Sequence, residues 1–297
     1  MRRLWGVCLL VLLSVVLARG ATTTLTLLYT NDLHVHLERL GSLAELIATE
    51  RATESPTLLV DAGDAWHDFR RPIFAVWGAE EMVAWMNEVG YDAMTIGNHD
   101  LYLGADRLDA LAFAARFPLL AANLRSVLEF PPFLPHQTVT RGGLKVLLVG
   151  LVTEEHFPAL EYPWLDLEDP EATLAKVLSE EEAQEADLVV VLGHLPLEEA
   201  VRIASRAPGI DVFVTGHSHQ RTPDPVQAGG ALVVQSGEFG EALGRLRLEI
   251  DFDTGAIVRA ENSLLPTEEA PVALDRGYLK LFEILLGVAA FAFFLLF

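Results

Sequence analysis

Cysteine is almost missing from this sequence: a single residue, Cys8, in 297. That excludes a disulfide framework, so the chain must hold together by burying apolar surface, and its length allows one large core or two small ones. Basic charge is scarce as well, with 21 Lys and Arg against 42 Asp and Glu, a net charge of −21 and a pI near 4.7. A surface of that sign repels phosphate backbones, which excludes nucleic acid as the main partner. It does not exclude small anions, because bound divalent ions can reverse the field inside one cleft. Internal repeats and long low-complexity segments are also lacking. What remains is an ordinary globular composition with two apolar ends.

Those ends inflate the 51% hydrophobic fraction and the mean hydropathy of +0.32. Met1-Arg2-Arg3 is followed by an apolar stretch from Leu4 to Leu17 and then by Ala18-Arg19-Gly20-Ala21, with small residues at alternate positions. A charged start, a short apolar centre and a small-residue exit predict a signal peptide over residues 1–20 with cleavage after Gly20; the apolar stretch is short for a retained anchor. Cys8 lies inside it, and Trp5-Gly6-Val7 upstream do not make a lipoprotein acceptor motif. Residues 21–265 are expected to form the folded domain and 266–277 a linker that opens with an acidic, proline-bounded stretch from Pro266 to Pro271. Residues 278–297 form a hydrophobic segment whose only charges are Lys280 and Glu283. It is long enough to anchor in a membrane if those two sit at headgroup level; a terminal helix packed on the domain is the alternative. The expectation is an exported protein, periplasmic or at the cell surface, tethered to the membrane.

Between the ends, strand-like and helix-like segments alternate. Strands are expected at Thr24 to Tyr29, Thr57 to Val60, Ala93 to Ile96, Pro118 to Ala121, Lys145 to Gly150, Leu188 to Leu192, Val212 to Thr215 and Leu232 to Gln235. Helices are expected at Ser42 to Ala52, Ala79 to Val89, Leu108 to Ala115, Pro170 to Glu185 and Leu197 to Arg206. This alternation implies an α/β layered domain, and continuous apolar strands imply cover on both faces. After Glu241 the period becomes two, and Gly244 to Asp251 and Ala256 to Asn262 flank Asp253-Thr254-Gly255 as a hairpin.

Five short motifs stand where apolar runs end: Asp32-Leu33-His34, Gly63-Asp64, Gly97-Asn98-His99-Asp100, Gly193-His194 and Gly216-His217-Ser218-His219. Imidazole nitrogen with carboxylate and amide oxygen suits divalent cations, so the set reads as a two-metal site at one sheet edge. Asp32 and His34 can turn round one ion. Asp64 is the choice for a carboxylate shared by two ions, with Gly63 allowing close backbone approach. Asn98 supplies an uncharged oxygen, and His217 and His219 can each reach a different metal. Asp61 reads as support for the ligands, and Asp100 as a partner that orients a neighbour. His67 is expected at the rim, while His36, His136 and His156 lack such support. Arg70, Arg71 and Arg221 lie near motif loops, where they can meet a phosphate or serve as surface charge. Manganese, zinc, iron and magnesium all accept these donors.

The set resembles the calcineurin-like metallophosphoesterases, and in particular the catalytic domain of the secreted 5'-nucleotidase group. The likeness extends through Tyr29-Thr30-Asn31-Asp32-Leu33-His34, the stretch Met86 to Met94, Ala121-Ala122-Asn123, Gly150-Leu151-Val152-Thr153 and Gln235-Ser236-Gly237-Glu238-Phe239-Gly240, covering Leu25 to about Asn262. The resemblance implies a four-layer α/β/β/α sandwich. It implies one metal held by Asp32, His34, Asp64 and His219 and a second by Asp64, Asn98, His194 and His217, with a hydroxide between them attacking phosphorus. His99 would stabilise the transition state or protonate the leaving oxygen. Two departures stand out. Where the group usually carries an aspartate that orients this histidine, the residue here is Tyr102, so the dyad must be rebuilt with Asp100 or dispensed with. The chain also stops before a second, nucleoside-gripping domain could fit. The resulting expectation is an exported dimetal hydrolase of small phosphomonoesters or phosphodiesters, nucleotides among them. A same-fold hydrolase of sulfate or thiosulfonate esters and a catalytically silent membrane-tethered binding module are the alternatives.

Overall fold

The structure is a computed structural model that describes residues 22–53, 55–70, 78–128 and 131–271. The expected signal segment with Cys8, the apolar segment 278–297, residues 272–277 of the linker and Arg71 lie outside the described residues. The first strands, β1 (Thr22–Thr30), β2 (Thr57–Asp61), β3 (Ala93–Thr95) and β4 (Leu119–Leu120), are parallel neighbours in that order. Helices α1 (Leu40–Arg51), α2 (Gly78–Val89), α3 (Asn98–Leu101) and α4 (Ala105–Ala114) connect them.

The chain then crosses to a second sheet. β5 (Leu124–Ser126) pairs aside with β8 (Leu165–Leu167), while β6 (His136–Arg141), β7 (Leu144–Val152), β9 (Leu188–His194), β10 (Val212–Thr215), β11 (Val226–Ala228) and β12 (Ala231–Val234) form the order β11-β12-β10-β9-β7-β6. Helices α5 (Pro170–Leu178), α6 (Glu181–Gln184) and α7 (Leu197–Arg206) lie in this half. The chain returns through β13 (Ala242–Asp251) and β14 (Ile257–Pro266), which close the first sheet antiparallel beside β1.

Three buried clusters define the layers. Leu25, Leu27 and Tyr29 of β1 meet Val146, Leu148, Val190, Leu192 and Val214 between the sheets. Leu28 and Leu59 turn the other way onto Leu43, Met82 and Leu108 of the first helical layer. Val189 and Val191 likewise turn onto Leu174 and Ile203 of the second. The period-two side-chain geometry of a strand thus divides each continuous apolar run between two cores, and each fully buried Leu or Val contributes roughly 1.5–3 kcal/mol. The architecture is the four-layer α/β/β/α sandwich.

The sequence pattern missed the short or polar strands β5, β6, β8 and β11, and the expected helix from Pro170 to Glu185 is two. It opens as read, with Pro170 in the first turn and the Asp169 carboxylate accepting the Ala172 N–H at 2.6 Å. It breaks at Glu180, whose extended backbone (ψ 151°) separates α5 from α6. Residues 267–270, expected in the linker, run back along the domain: Thr267 N–H donates to Glu241 O at 3.0 Å and Ala270 N–H to Glu38 O at 2.8 Å. Among the described residues no helix is long and apolar enough to cross a membrane.

Candidate metal centre

The carboxyl ends of β1, β2, β3, β9 and β10 deliver all five motifs to one place. β1 leads to Asp32 and His34, β2 to Asp64, β3 to Asn98 and His99; β9 ends at His194, and β10 leads to His217 and His219. Strands from both sheets therefore contribute to one edge, as open parallel sheets favour. Three donor groups result: Asp32 with His34 and His219, Asp64 with His194 and His217, and, between them, His34 and Asp64 with His99; within each the ligand atoms lie within 4.8 Å of one another.

Individual distances show how the groups join. His219 Nε2 is 3.3 Å from both Asp32 Oδ1 and His34 Nε2. His194 Nε2 lies 3.1 Å from Asp64 Oδ2, and His34 Nε2 lies 3.9 Å from the same oxygen. One carboxylate oxygen thus faces the first two groups, the position expected of a shared ligand. Asn98 Oδ1 is 3.0 Å from His217 Nδ1. Asp64 Oδ1 is occupied separately, accepting the His99 N–H at 2.8 Å.

The backbone is bent to make this possible. Asp32, His34, Asp64, His217 and His219 all have positive φ between 47° and 67°, five of the eight non-glycine residues with positive φ among the described residues. Each costs of order 1–3 kcal/mol and persists only where the surroundings dictate it. Asp32 N–H donates to Gly63 O and His34 N–H to Asp64 O, both at 2.9 Å, which ties the two ligand loops together. Gly97 is required by contact: a Cβ there would sit 2.0 Å from Asp64 Oδ1 and 2.4 Å from Asp64 N. Gly97→Ala is therefore expected to cost about 1–3 kcal/mol of stability and to weaken metal uptake. Thermal melts and metal titration check this; an unchanged melt with unchanged uptake contradicts it.

Electrostatics point the same way. Asp64, Asp32, His34 and His194 are all at least 98% buried. Burial alone would raise Asp64, but the charge of His194 holds it down at about 2. Burial would likewise lower His194 and His34; the carboxylates beside them reverse this and push them up to about 10 and about 9. Protons on the two histidines thus offset carboxylate charge when no cation does. Folded values above 6.5 mean a contribution to stability fully present below pH 6.5 and lost as pH rises through 9 to 10. The chelated protein should accordingly melt lower at about pH 9.5 than at about pH 6.5, and an equal or higher melt at the upper value contradicts it. His194 Nε2 lies 3.1 Å from Asp64 Oδ2 yet makes no aligned hydrogen bond among the described residues. A buried nitrogen held only by charge inside a nitrogen and oxygen donor set fits a divalent cation.

The remaining residues read from the sequence fall as follows. Asp61 accepts Thr30 Oγ1–H at 2.6 Å and the Gly63 N–H at 2.8 Å, so it shapes the turn before Asp64. His67 meets the site through its carbonyl, which lies 2.8 Å from His34 Nδ1. His99 stands edge-on to His34 with centroids 4.8 Å apart, and the rings of Phe69 and Tyr102 lie 5.4 and 5.2 Å from it. Burial lowers its pKa to about 4, and its Nδ1 has no partner among the described residues. Asp100 orients the Asp64 loop rather than His99: its carboxylate accepts the backbone N–H groups of Asp64, Trp66 and Gly97 at 2.9 Å each, so it cinches two ligand loops. Arg70 pairs with Asp68 at 2.9 Å and Arg221 reaches Glu241 at 3.7 Å. His36, His136 and His156 stay outside all three donor groups.

Residues 25–221 match the family described as calcineurin-like phosphoesterase. The chain belongs to that family. Membership makes it, in class, a metal-dependent phosphoester hydrolase, and the donor groups suit the divalent ions the family uses. A snake venom 5'-nucleotidase of Gloydius brevicauda is 31% identical over 281 residues, covering 80% of this chain and 47% of that protein. A 5'-nucleotidase precursor of Thermus thermophilus has a TM-score of 0.72 at 27% identity, covering 82% of this chain and 54% of that one. A sulfate thiohydrolase of Thermus thermophilus shares the fold, with a TM-score of 0.71 at 23% identity over 82% of this chain and 56% of its own. The chain spans about half the length of the curated relatives it matches.

Three residues that hold this phosphoesterase site together were not read as such from the sequence. Asn31 Nδ2–H donates to Asp32 Oδ2 at 2.7 Å and to Gly237 O at 2.6 Å, and Asn31 Oδ1 accepts the Ser236 N–H at 2.8 Å. Gln235 Oε1 accepts Ser218 Oγ–H at 3.0 Å and the Gln220 N–H at 3.2 Å, fixing the loop that carries His217 and His219. Tyr102 Oη donates to His156 O at 2.9 Å and lies 3.4 Å from Asn98 Nδ2, so the residue found in place of the usual aspartate steadies Asn98. Asn31 adjoins a ligand and Gln235 opens one of the matching blocks; only that adjacency signalled them.

Proposed function

We propose that this chain is an exported phosphoesterase that binds two divalent ions and hydrolyses small phosphomonoesters or phosphodiesters, nucleotides among them. The observation that carries the reading is the pair of donor groups joined through Asp64 Oδ2. Asp32, His34, Asp64 and His219 would hold one ion, and Asp64, Asn98, His194 and His217 the other. Such ions supply positive charge for the phosphoryl oxygens and lower the pKa of water to near neutrality. The protein's own task is positioning. Asp100 and Gly97 keep Asp64 in place, and Asn31 and Gln235 keep the Asp32 and His217 loops in place. His99, which burial keeps neutral, stands beside His34 at the centre, where it would serve a developing oxyanion as a hydrogen-bond donor. Export rests on the charged and apolar pattern of residues 1–20, and membrane tethering on that of residues 278–297.

The test is a substrate panel on Mn²⁺-loaded protein: an aryl phosphate, a bis-aryl phosphate, a nucleoside monophosphate and an aryl sulfate at equal metal loading. Cleavage of phosphate esters with the sulfate ester intact is expected. Preference for the sulfate ester, or metal binding without turnover on any phosphate ester, overturns the reading.

A further inference from the structure

Four imidazoles would hold the ions, and the nitrogen each turns away from the centre is occupied by one of two kinds of acceptor. The two buried rings use backbone: His34 Nδ1–H donates to His67 O and His194 Nδ1–H to Ala62 O, both at 2.8 Å. The two on the open side use carboxylates. His219 Nδ1 lies 2.5 Å from Glu238 Oε2, and His217 Nε2 lies 2.8 Å from Glu155 Oε2. A carboxylate only accepts, so the proton sits on Nδ1 of His219 and on Nε2 of His217. The lone pairs are then left on His219 Nε2, beside Asp32, and on His217 Nδ1, beside Asn98.

We propose that Glu238 and Glu155 are positioning residues, each acting through one histidine on a different ion; the inference rests on the two-ion reading. Carboxylates behind metal-bound imidazoles fix the ring and its tautomer and raise its basicity. Both glutamates are themselves held. Asn31 grips Gly237 O and Ser236, and the Phe239 N–H donates to Asp32 O at 2.7 Å with Phe239 at φ 57°. The loop carrying Glu238 is thereby tied to the ligand that His219 approaches. On the other side, the Glu155 N–H donates to Thr153 Oγ1 at 3.1 Å, and Tyr102 holds the carbonyl of His156 while reaching Asn98. Tyr102 thus links the Glu155 turn to the ligand beside His217. Side chains 30% and 58% exposed can be changed without opening the core.

The experiment is equilibrium dialysis of metal-free protein over a range of Mn²⁺ concentrations, which gives a dissociation constant for each ion, with melts of each metal-free protein. Loss of such a carboxylate typically weakens a metal by roughly 10–100-fold. Wild type should hold two ions per chain at saturation; Glu238→Ala and Glu155→Ala should each weaken one ion by roughly 10–100-fold and the double variant both, with metal-free melts unchanged. Glu238→Gln and Glu155→Gln, which keep an acceptor but lose the charge, should fall between Ala and wild type. Single variants with both constants at the wild-type value, a double variant that weakens only one ion, or lowered metal-free melts overturn the proposal. Wild type holding fewer than two ions overturns the two-ion reading instead.

Discussion

Asp64→Asn is expected to abolish phosphoester hydrolysis by at least about 10³-fold, since metal charge stabilisation is worth several kcal/mol and each 1.36 kcal/mol is tenfold in rate. Asparagine keeps the size of the side chain, and one oxygen can still take the His99 N–H that Asp64 Oδ1 accepts. What disappears is the charged oxygen that His194 approaches at 3.1 Å and His34 at 3.9 Å. Metal affinity should therefore fall together with turnover while the fold survives. The check pairs rate measurements with metal content after dialysis. A variant that keeps full metal and full activity removes Asp64 from the centre.

His99→Ala should behave in the opposite way with respect to metal. The ring lies beside His34 and the aromatic pair Phe69 and Tyr102, outside the two sets that would hold the ions, and its backbone N–H donates to Asp64 Oδ1. Alanine retains that N–H. The turnover number should drop by roughly 10²–10⁴, the usual worth of a positioned proton donor or acceptor, with both ions kept. Turnover within a few-fold of wild type, or loss of metal in step with activity, contradicts the role. Asp64→Asn and His99→Ala together separate holding the ions from acting beside them.

The parts of this centre legible in the sequence share one physical origin. Strands covered on both faces must be continuously apolar, so the polar residue that ends each run marks a sheet edge; His194 after Val189-Val190-Val191-Leu192 is the clearest case. The same rule exposed β1, β2 and β10, and it hid β5 and β11, which are three residues each and half covered. The break at Glu180 was hidden because its neighbours are ordinary helix formers. Which neighbour Asp100 orients was not legible, because adjacency to His99 is visible in a sequence and the direction of a carboxylate is not. On the first turn of α3 it points back to the backbone of Asp64, Trp66 and Gly97. Glu155 carried no signal at all, since an exposed glutamate after a strand is ordinary until a histidine from another loop is seen against it.

Chelation followed by metal add-back tests the central claim most directly. Protein stripped of cations should leave an aryl phosphate intact. Hydrolysis should appear as Mn²⁺ is restored and level off at two ions per chain. Undiminished hydrolysis by the stripped protein, or none once two ions are bound, would contradict the account.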